Sequence, residues 1–197
     1  MDIKKLGLTL FVLGFFVIGL LSTAALAEEA PLAKGPAVAT TCGQSPGALM
    51  IKQICVRAGV KCEQNDLITA EDLRKKAENE EGYNTLIITM GTSGKGMGAA
   101  GTNMKDEVKR IEGLIKEAKE LGMTVIGAHI EGEARRVDEN DAKSIEVVAP
   151  QSDIIIVRDD SNKDGYFTDI AEKNDLPFYS VEKTLEVTKP IKEIFNK

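Results

Sequence analysis

Four polar segments hold most of the residues that could do chemistry, and each follows a run of β-branched and apolar residues. The segments begin at Cys42, Gly91, His129 and Arg158. In an open parallel sheet the carboxyl ends of the strands share one edge, and ligands bind at that edge. The pattern therefore predicts a functional site where the four segments meet.

The segment Gly91–Gly101 contains five glycines and Lys95. Glycine lets backbone N–H groups turn towards an anion, and a helix that follows adds the positive end of its dipole. The Walker A pattern fails, and a dinucleotide pattern fits Gly96–Gly101 but follows the third strand rather than the first. We expect an anionic group to bind here, and a loop that needs glycine only for its shape is the alternative. The candidate ligand residues are Ser93, Gly94, Lys95 and Gly96.

The segment Thr40–Gly47 joins the first strand to the start of a helix. Its candidate ligand residues, Gln44 and Ser45, could cradle a phosphate or a carboxylate. Cys42 would lie near the helix N-terminus, which favours the thiolate and suggests a nucleophile. The alternative is a small buried residue at the end of a strand. A phosphatase loop is excluded, because residue 47 is Gly where that loop has Arg.

His129 is the single histidine, and Glu131, Arg135 and Arg136 follow it. Histidine beside an acid could act in general acid–base catalysis, and arginine binds carboxylates through paired hydrogen bonds. Two functions stay open: a binding domain for an anionic ligand, with His129, Arg135 and Arg136 at the site, or a hydrolase or transferase using His129 with Cys42 or Glu131. In a structural module, the third class, these loops would share no concavity. We expect at least one of the two arginines to point into the crevice, unless acids elsewhere in the chain pair with both.

Asp160, Asn162 and Asp164 match the first half of an EF-hand loop. Residue 171 is Ala where the loop needs a bidentate Glu, and a strand precedes the motif instead of a helix. Calcium is the one candidate cofactor, and an Asx-rich turn before the next helix is the alternative.

The first 27 residues are typical of a signal peptide. Lys4 and Lys5 precede the uncharged stretch Leu6–Leu21, and Ala25-Leu-Ala27 has the small residues of a cleavage site. An uncleaved membrane anchor is the alternative. Export to the periplasm or the cell surface follows from either interpretation, with a linker over residues 28–35.

The charge balance narrows the class of partner. The whole chain carries −6, and residues 1–27 carry +1 (two Lys and one Asp), so the remainder carries −7. That balance argues against nucleic acid and against electrostatic attachment to anionic lipid, since no basic stripe offsets the acidity. We expect a small anionic molecule as the partner and membrane contact only through the N-terminal segment. The sequence identifies no protein partner.

Strand-like and helix-like patterns alternate over residues 36–197. This alternation predicts a single doubly wound α/β domain, Rossmann-like or flavodoxin-like, with a mostly parallel sheet of five or six strands. By analogy with flavodoxin, a strand order 2-1-3-4-5 would place the first and third strands at the switch point. Cys55 and Cys62 could form a bridge between a helix end and the next strand, or could be two small buried residues.

The polar segments together resemble a family of exported bacterial proteins known only as a domain of unknown function. The resemblance covers nearly all of the chain after the signal peptide and implies one exported α/β domain, without an activity. It is carried by the strings Gly43-Gln-Ser-Pro-Gly-Ala48, Ser93-Gly-Lys-Gly-Met-Gly-Ala-Ala-Gly101, His129-Ile-Glu-Gly-Glu-Ala-Arg-Arg136 and Ser161-Asn-Lys-Asp-Gly165.

Overall fold

The computed structural model describes residues 32–197, so the predicted signal peptide lies outside the described residues. One sheet of six parallel strands, in the order β2-β1-β3-β4-β5-β6, forms the centre of the molecule. This architecture confirms the predicted doubly wound α/β fold and its strand order. The strands are β1 (Ala37–Cys42), β2 (Cys62–Gln64), β3 (Thr85–Met90), β4 (Thr124–His129), β5 (Ile154–Arg158) and β6 (Phe178–Val181).

Helices cover both faces of the sheet. Helices α1 and α7 pack on one face, and α2, α4, α5 and α6 pack on the other. Every residue of β1 and β3 is buried, as expected for central strands of a parallel sheet with two covered faces. The helices are α1 (Gly47–Ala58), α2 (Ala70–Glu78), α3 (Gly94–Ala100), α4 (Met104–Glu120), α5 (Glu139–Val148), α6 (Tyr166–Asn174) and α7 (Thr188–Ile194).

The glycine-rich segment departs from the prediction of a loop, because most of it forms the short helix α3. The Ser93 side chain caps this helix by accepting a hydrogen bond from Gly96 N–H at 3.0 Å. A Cβ at Gly96 would lie 2.1 Å from the carbonyl oxygen of Gln44, so glycine is needed there for close packing. Only Gly91 and Gly101 have φ in the left-handed range. Gly96 therefore serves close packing, and Gly91 and Gly101 allow the chain to reverse direction.

The strand order reverses at β1, with β2 on one side and β3 on the other. The loops after β1 and β3 meet there and are joined by backbone contacts. Ser93 N–H donates to Gly43 O at 2.8 Å, and Gln44 forms an antiparallel bridge with Thr92. The switch-point crevice is thus closed between these two loops. Among residues 32–197, no helix is both long and apolar enough to cross a membrane.

Candidate functional site

A buried carboxylate on α4 holds the loop after β1. Glu107 Oε2 accepts hydrogen bonds from Gly43 N–H at 3.1 Å and from Gln44 Nε2 at 3.0 Å. Arg110 Nη2 lies 2.8 Å from the same oxygen and also donates to Thr41 O at 2.6 Å. Gly43 N–H and the Gln44 side-chain amide are therefore directed at Glu107, which is itself an anion. Sequence reasoning expected a ligand in that place.

A second carboxylate, on α5, holds the loop after β3. Asp141 Oδ1 accepts from Thr92 N–H at 2.9 Å and from Thr92 Oγ1 at 2.7 Å. Ser144 Oγ accepts from Gly91 N–H at 2.9 Å and donates to Cys42 O at 2.7 Å. The N–H groups of Gly91 and Thr92, which begin this loop, are thus also hydrogen-bonded within the protein.

The side chains that organise both loops were missed by the sequence analysis. A signal was available: Glu107 lies on the same helical stripe as Ile111 and Leu114, which are fully buried. A charged residue on an apolar stripe has to be buried and paired. Asp141 is likewise a charged residue on an apolar stripe, since it lies one helical turn before the buried Ile145 on α5. The residues missed were Glu107, Arg110, Asp141 and Ser144.

Two candidates on the first loop are buried in a way that limits their chemistry. Ser45 is 3% exposed, and its Oγ lies 3.3 Å from the hydroxyl of Thr41. Cys42 ends β1 rather than opening a helix, and it is fully buried. Burial raises the pKa of the Cys42 thiol to about 12. This burial favours the alternative, a small buried residue at the end of a strand, over a thiolate nucleophile, because the thiol is surrounded by the core.

His129 is fully buried at the end of β4. Its Nε2 lies 3.1 Å from Arg135 O and donates to that carbonyl, and its ring packs against Phe167 with centroids 5.4 Å apart. Burial lowers the pKa of His129, so the imidazole is neutral at pH 7. Its Nδ1 has no hydrogen-bond partner within residues 32–197.

The structure does not bring His129 together with Cys42 or Glu131. Cys42 is aligned with Met90, which the β3–β4 register places beside His129. Cys42 and His129 are thus two strands apart, about 10 Å between Cα atoms, with the Met90 side chain between them. The Glu131 side chain extends towards the face of the sheet that α1 covers. Its Oε1 lies 3.0 Å from the position that a Cβ would take at Gly47, at the start of α1. That oxygen is buried without a partner in the described part of the chain.

Arg135 points into the edge of the sheet, as predicted for at least one of the two arginines. Its Nε donates to Glu131 Oε2 at 3.1 Å and its Nη1 to Thr92 O at 2.6 Å. The side chain covers Gly91, where a Cβ would lie 2.9 Å from that of Arg135. The second terminal nitrogen, Nη2, makes no hydrogen bond within residues 32–197, and the side chain is 29% exposed.

Arg136 contacts different partners from Arg135, and both of its terminal nitrogens donate hydrogen bonds. Its two terminal nitrogens donate to the two carboxylate oxygens of Asp164, each at 2.8 Å, and Nη1 also donates to Ser161 O at 2.6 Å. Its guanidinium carbon lies 5.5 Å from the centre of the Phe167 ring. This hydrogen-bonded pair lowers the pKa of Asp164. Arg136 thus forms the internal ion pair that the sequence left open.

The remaining candidates of the glycine-rich segment lie on the first turn of α3. Gly94 and Lys95 are exposed, and the Ser93 hydroxyl is used as the helix cap. Lys95 makes no ion pair with any residue in the described range 32–197. It follows Thr92, which Arg135 contacts, by three residues.

The three residues of the EF-hand-like motif are directed at different partners. Asp160 pairs with Arg158 at 2.7 Å, and Asp164 pairs with Arg136. Asn162 Oδ1 accepts a hydrogen bond from Phe167 N–H at 2.9 Å. Within residues 32–197, no group of three His, Cys, Asp or Glu side chains could hold a metal ion. Asp164 and Asn162 make the side-chain-to-backbone hydrogen bonds of an Asx-rich turn before α6, the alternative named for this motif.

An open groove of about 670 Å³ separates the loop after β4 from the loop after β5. Both of its walls carry charges of both signs, and ion pairs cross between the loops, namely Lys163 with Glu133 and Arg136 with Asp164. Arg135 belongs to the loop that forms one wall. The groove is lined by Glu133, Ala134, Arg136, Val137, Asp160, Ser161, Lys163 and Asp164.

Several solved structures match part of this chain at low similarity. A GDSL-like lipase from Bacteroides thetaiotaomicron is 11% identical with a TM-score of 0.35, and the match covers 73% of this chain and 66% of the lipase, just under two thirds. A putative lipolytic protein of the G-D-S-L family from Desulfitobacterium hafniense is 12% identical with a TM-score of 0.36, covering 73% and 75%. A putative acylhydrolase from Bacteroides fragilis is 10% identical with a TM-score of 0.36, covering 76% and 71%.

The sequence comparisons give a family but no activity. No curated protein sequence matches the chain. A family model described as a domain of unknown function, DUF6305, matches residues 34–195. Because this match spans far more than half of the chain and all six strands, the chain belongs to the DUF6305 family.

Proposed function

We propose that this protein is an extracytoplasmic binding domain for a small molecule that carries an acidic group. The acidic group would bind at the carboxyl edge of the sheet, between Arg135 and Lys95. The body of the ligand would extend into the adjacent groove between the loops after β4 and β5. Export follows from the signal-peptide pattern of residues 1–27 and is part of the proposal.

The observation that carries the proposal is the state of the Arg135 side chain. Two of its nitrogens are fixed by Glu131 and by Thr92 O, so the guanidinium is held in one orientation over Gly91. Its Nη2 has no partner within the described residues, although the side chain is partly exposed. A guanidinium that is already oriented loses little side-chain entropy when it binds a carboxylate or phosphate.

Lys95 supports the same location. It is exposed on the first turn of α3 and has no acidic partner among residues 32–197. All four arginines at this edge of the sheet form ion pairs within the protein: Arg110 with Glu107, Arg135 with Glu131, Arg136 with Asp164 and Arg158 with Asp160. In an acidic protein, Lys95 is therefore a cation left open for an external anion.

The alternative, a hydrolase or transferase that uses His129 with Cys42 or Glu131, has weaker support. A nucleophile and its base need to lie within hydrogen-bond reach of each other. His129 is two strands from Cys42, and Glu131 extends on the opposite face of the sheet. An enzyme of this class would need a different nucleophile and base.

The proposal is tested by measuring the melting temperature of the full chain, in mild detergent, against three probes: inorganic phosphate, acetate and succinate. A probe at one hundred times its Kd adds about 2.7 kcal/mol of stability, which corresponds to a rise in Tm of about 5–10 °C at this size. We expect a rise for at least one probe, reduced in Lys95→Gln. The matched control Lys109→Gln, another exposed and unpaired lysine on the neighbouring helix α4, should keep it. Equal shifts in both variants would contradict the assignment of Lys95.

A further inference from the structure

We infer that Cys55 and Cys62 are a disulfide-forming pair and that Cys42 is the thiol left over. This inference concerns a covalent modification at the amino-terminal edge of the sheet, and it does not depend on the proposed ligand. It settles which of the three possible pairings the odd number of cysteines would use.

The chain path brings the two side chains to the same side of the sheet. Cys55 lies in the last turn of α1, which ends at Ala58, and Val60 N–H donates to Cys55 O at 2.9 Å as the chain turns back. Cys62 then opens β2, next to Ala37 of β1. Both side chains belong to the apolar cluster between the sheet and α1, in which Cys55 is fully buried and Cys62 lies at the partly buried margin.

The third cysteine is held apart from this pair by the sheet itself. Cys42 packs in the cluster on the opposite face, together with α4 and α5. A bridge from Cys42 to either of the other two would need to pass through β1. A disulfide bond requires Cα atoms no more than about 7 Å apart, so the mispaired bridges would require the fold to open.

The pKa values and the exposure of the two thiols both favour Cys62 as the thiol that reacts first with an oxidant. The neighbouring Cys55 thiol and the charge of Lys52 lower the pKa of Cys62, whereas the neighbouring Cys62 and burial raise the pKa of Cys55. Cys62 is partly exposed and Cys55 is buried. An oxidant would therefore meet Cys62 first.

The reaction is a thiol–disulfide exchange with a disulfide-bearing oxidant, either a small disulfide or an exported oxidoreductase. The Cys62 thiolate attacks one sulfur of the oxidant, which forms a mixed disulfide and expels the first oxidant thiolate. The Cys55 thiolate then attacks the Cys62 sulfur, which forms the intramolecular bond and expels the second. The two protein thiols lose two electrons and two protons, and the oxidant's disulfide gains them as two thiols.

Trypsin places each cysteine in its own peptide, so the pairing can be read directly. The full chain would be reduced, treated with oxidised glutathione, unfolded in an alkylating reagent and digested. The cysteine peptides are Gly35–Lys52, Gln53–Arg57 and Cys62–Arg74. We expect Gln53–Arg57 to be recovered linked to Cys62–Arg74, and Gly35–Lys52 to be alkylated. Alkylation of all three peptides, or a link to Gly35–Lys52, would overturn the inference.

A second measurement uses stability. Closing an eight-residue loop should raise the Tm of the oxidised protein by about 5–10 °C over the reduced protein. Cys62→Ser should show no difference between the two conditions, whereas Cys42→Ser should keep the full difference. If a variant fails to fold, the peptide map of the wild type decides alone. An equal Tm in the oxidised and reduced wild type, with the link formed, would show that the bond is strained and would overturn the claim that the fold prepares it.

Discussion

Replacing Glu107 with Ala should destabilise the protein more than replacing any exposed charged side chain with Ala. Glu107 is 1% exposed, and its partner Arg110 is 13% exposed at the side chain. The substitution leaves a partly buried guanidinium without its carboxylate, and it removes the acceptor that Gly43 N–H and Gln44 Nε2 share. Breaking a buried ion pair at one end costs about 3–5 kcal/mol. We expect a value near the lower end, since Arg110 keeps its bonds to the carbonyls of Thr41 and residue 68.

The assay is urea unfolding followed by far-ultraviolet circular dichroism, because the chain has no tryptophan to report by fluorescence. The matched control is Glu71→Ala, which removes an exposed partner of Lys75 and should leave the midpoint almost unchanged. Glu107→Gln should fall between the wild type and Glu107→Ala, because it keeps one acceptor oxygen but loses the charge. The reasoning would be refuted if Glu107→Ala unfolded at the same urea concentration as the control.

Two further predictions concern packing and pH. Gly96→Ala should lower the free energy of unfolding by about 1–3 kcal/mol, because the new methyl group meets the Gln44 carbonyl at 2.1 Å. Gly98→Ala, with nothing within 4 Å, should instead raise it by up to about 1 kcal/mol, and urea midpoints that agree for the two variants would contradict the packing argument. His129 has a pKa held below its ordinary value of 6.5 by burial, so the unfolded chain binds the proton more readily. Stability should therefore fall as the pH drops below 6.5, and His129→Gln should show a flatter profile between pH 6.5 and 5.

Much of the fold was predictable because its signals are local. Runs such as Thr85–Met90 have the apolar, β-branched composition of buried parallel strands, and the stripe on α4 has helical spacing. The switch-point order followed by analogy and is confirmed. The error was at Gly94–Ala100, which forms a helix although glycine is a poor helix former. Tertiary contact decided the outcome there, since Gly96 has to approach Gln44 and Met97 is anchored in the core.

The candidate site was only partly predictable, because partners come from distant parts of the chain. The sequence indicated which loops share an edge, and Arg135 does lie there. It could not show that Glu107 accepts a hydrogen bond from Gly43 N–H, which lies 64 residues earlier in the chain. Nor could it show that consecutive arginines diverge, Arg135 towards Gly91 and Arg136 towards Phe167. Backbone direction within the loop after β4 decides this, and loop geometry has no periodic signal in sequence.

Because Arg135 and Arg136 contact different partners, replacing each of them separately gives the most direct test of the proposed site. Titration calorimetry would compare Arg135→Gln and Arg136→Gln with the wild type, using whichever of phosphate, acetate and succinate raises the Tm. We expect Arg135→Gln to lose binding at least tenfold, because it removes the unpartnered Nη2, and also to melt at a lower temperature, because it breaks the pair with Glu131. Arg136→Gln should keep the affinity but melt at a lower temperature, because it breaks the pair with Asp164. Unchanged affinity in Arg135→Gln, or loss of affinity in Arg136→Gln alone, would contradict the account.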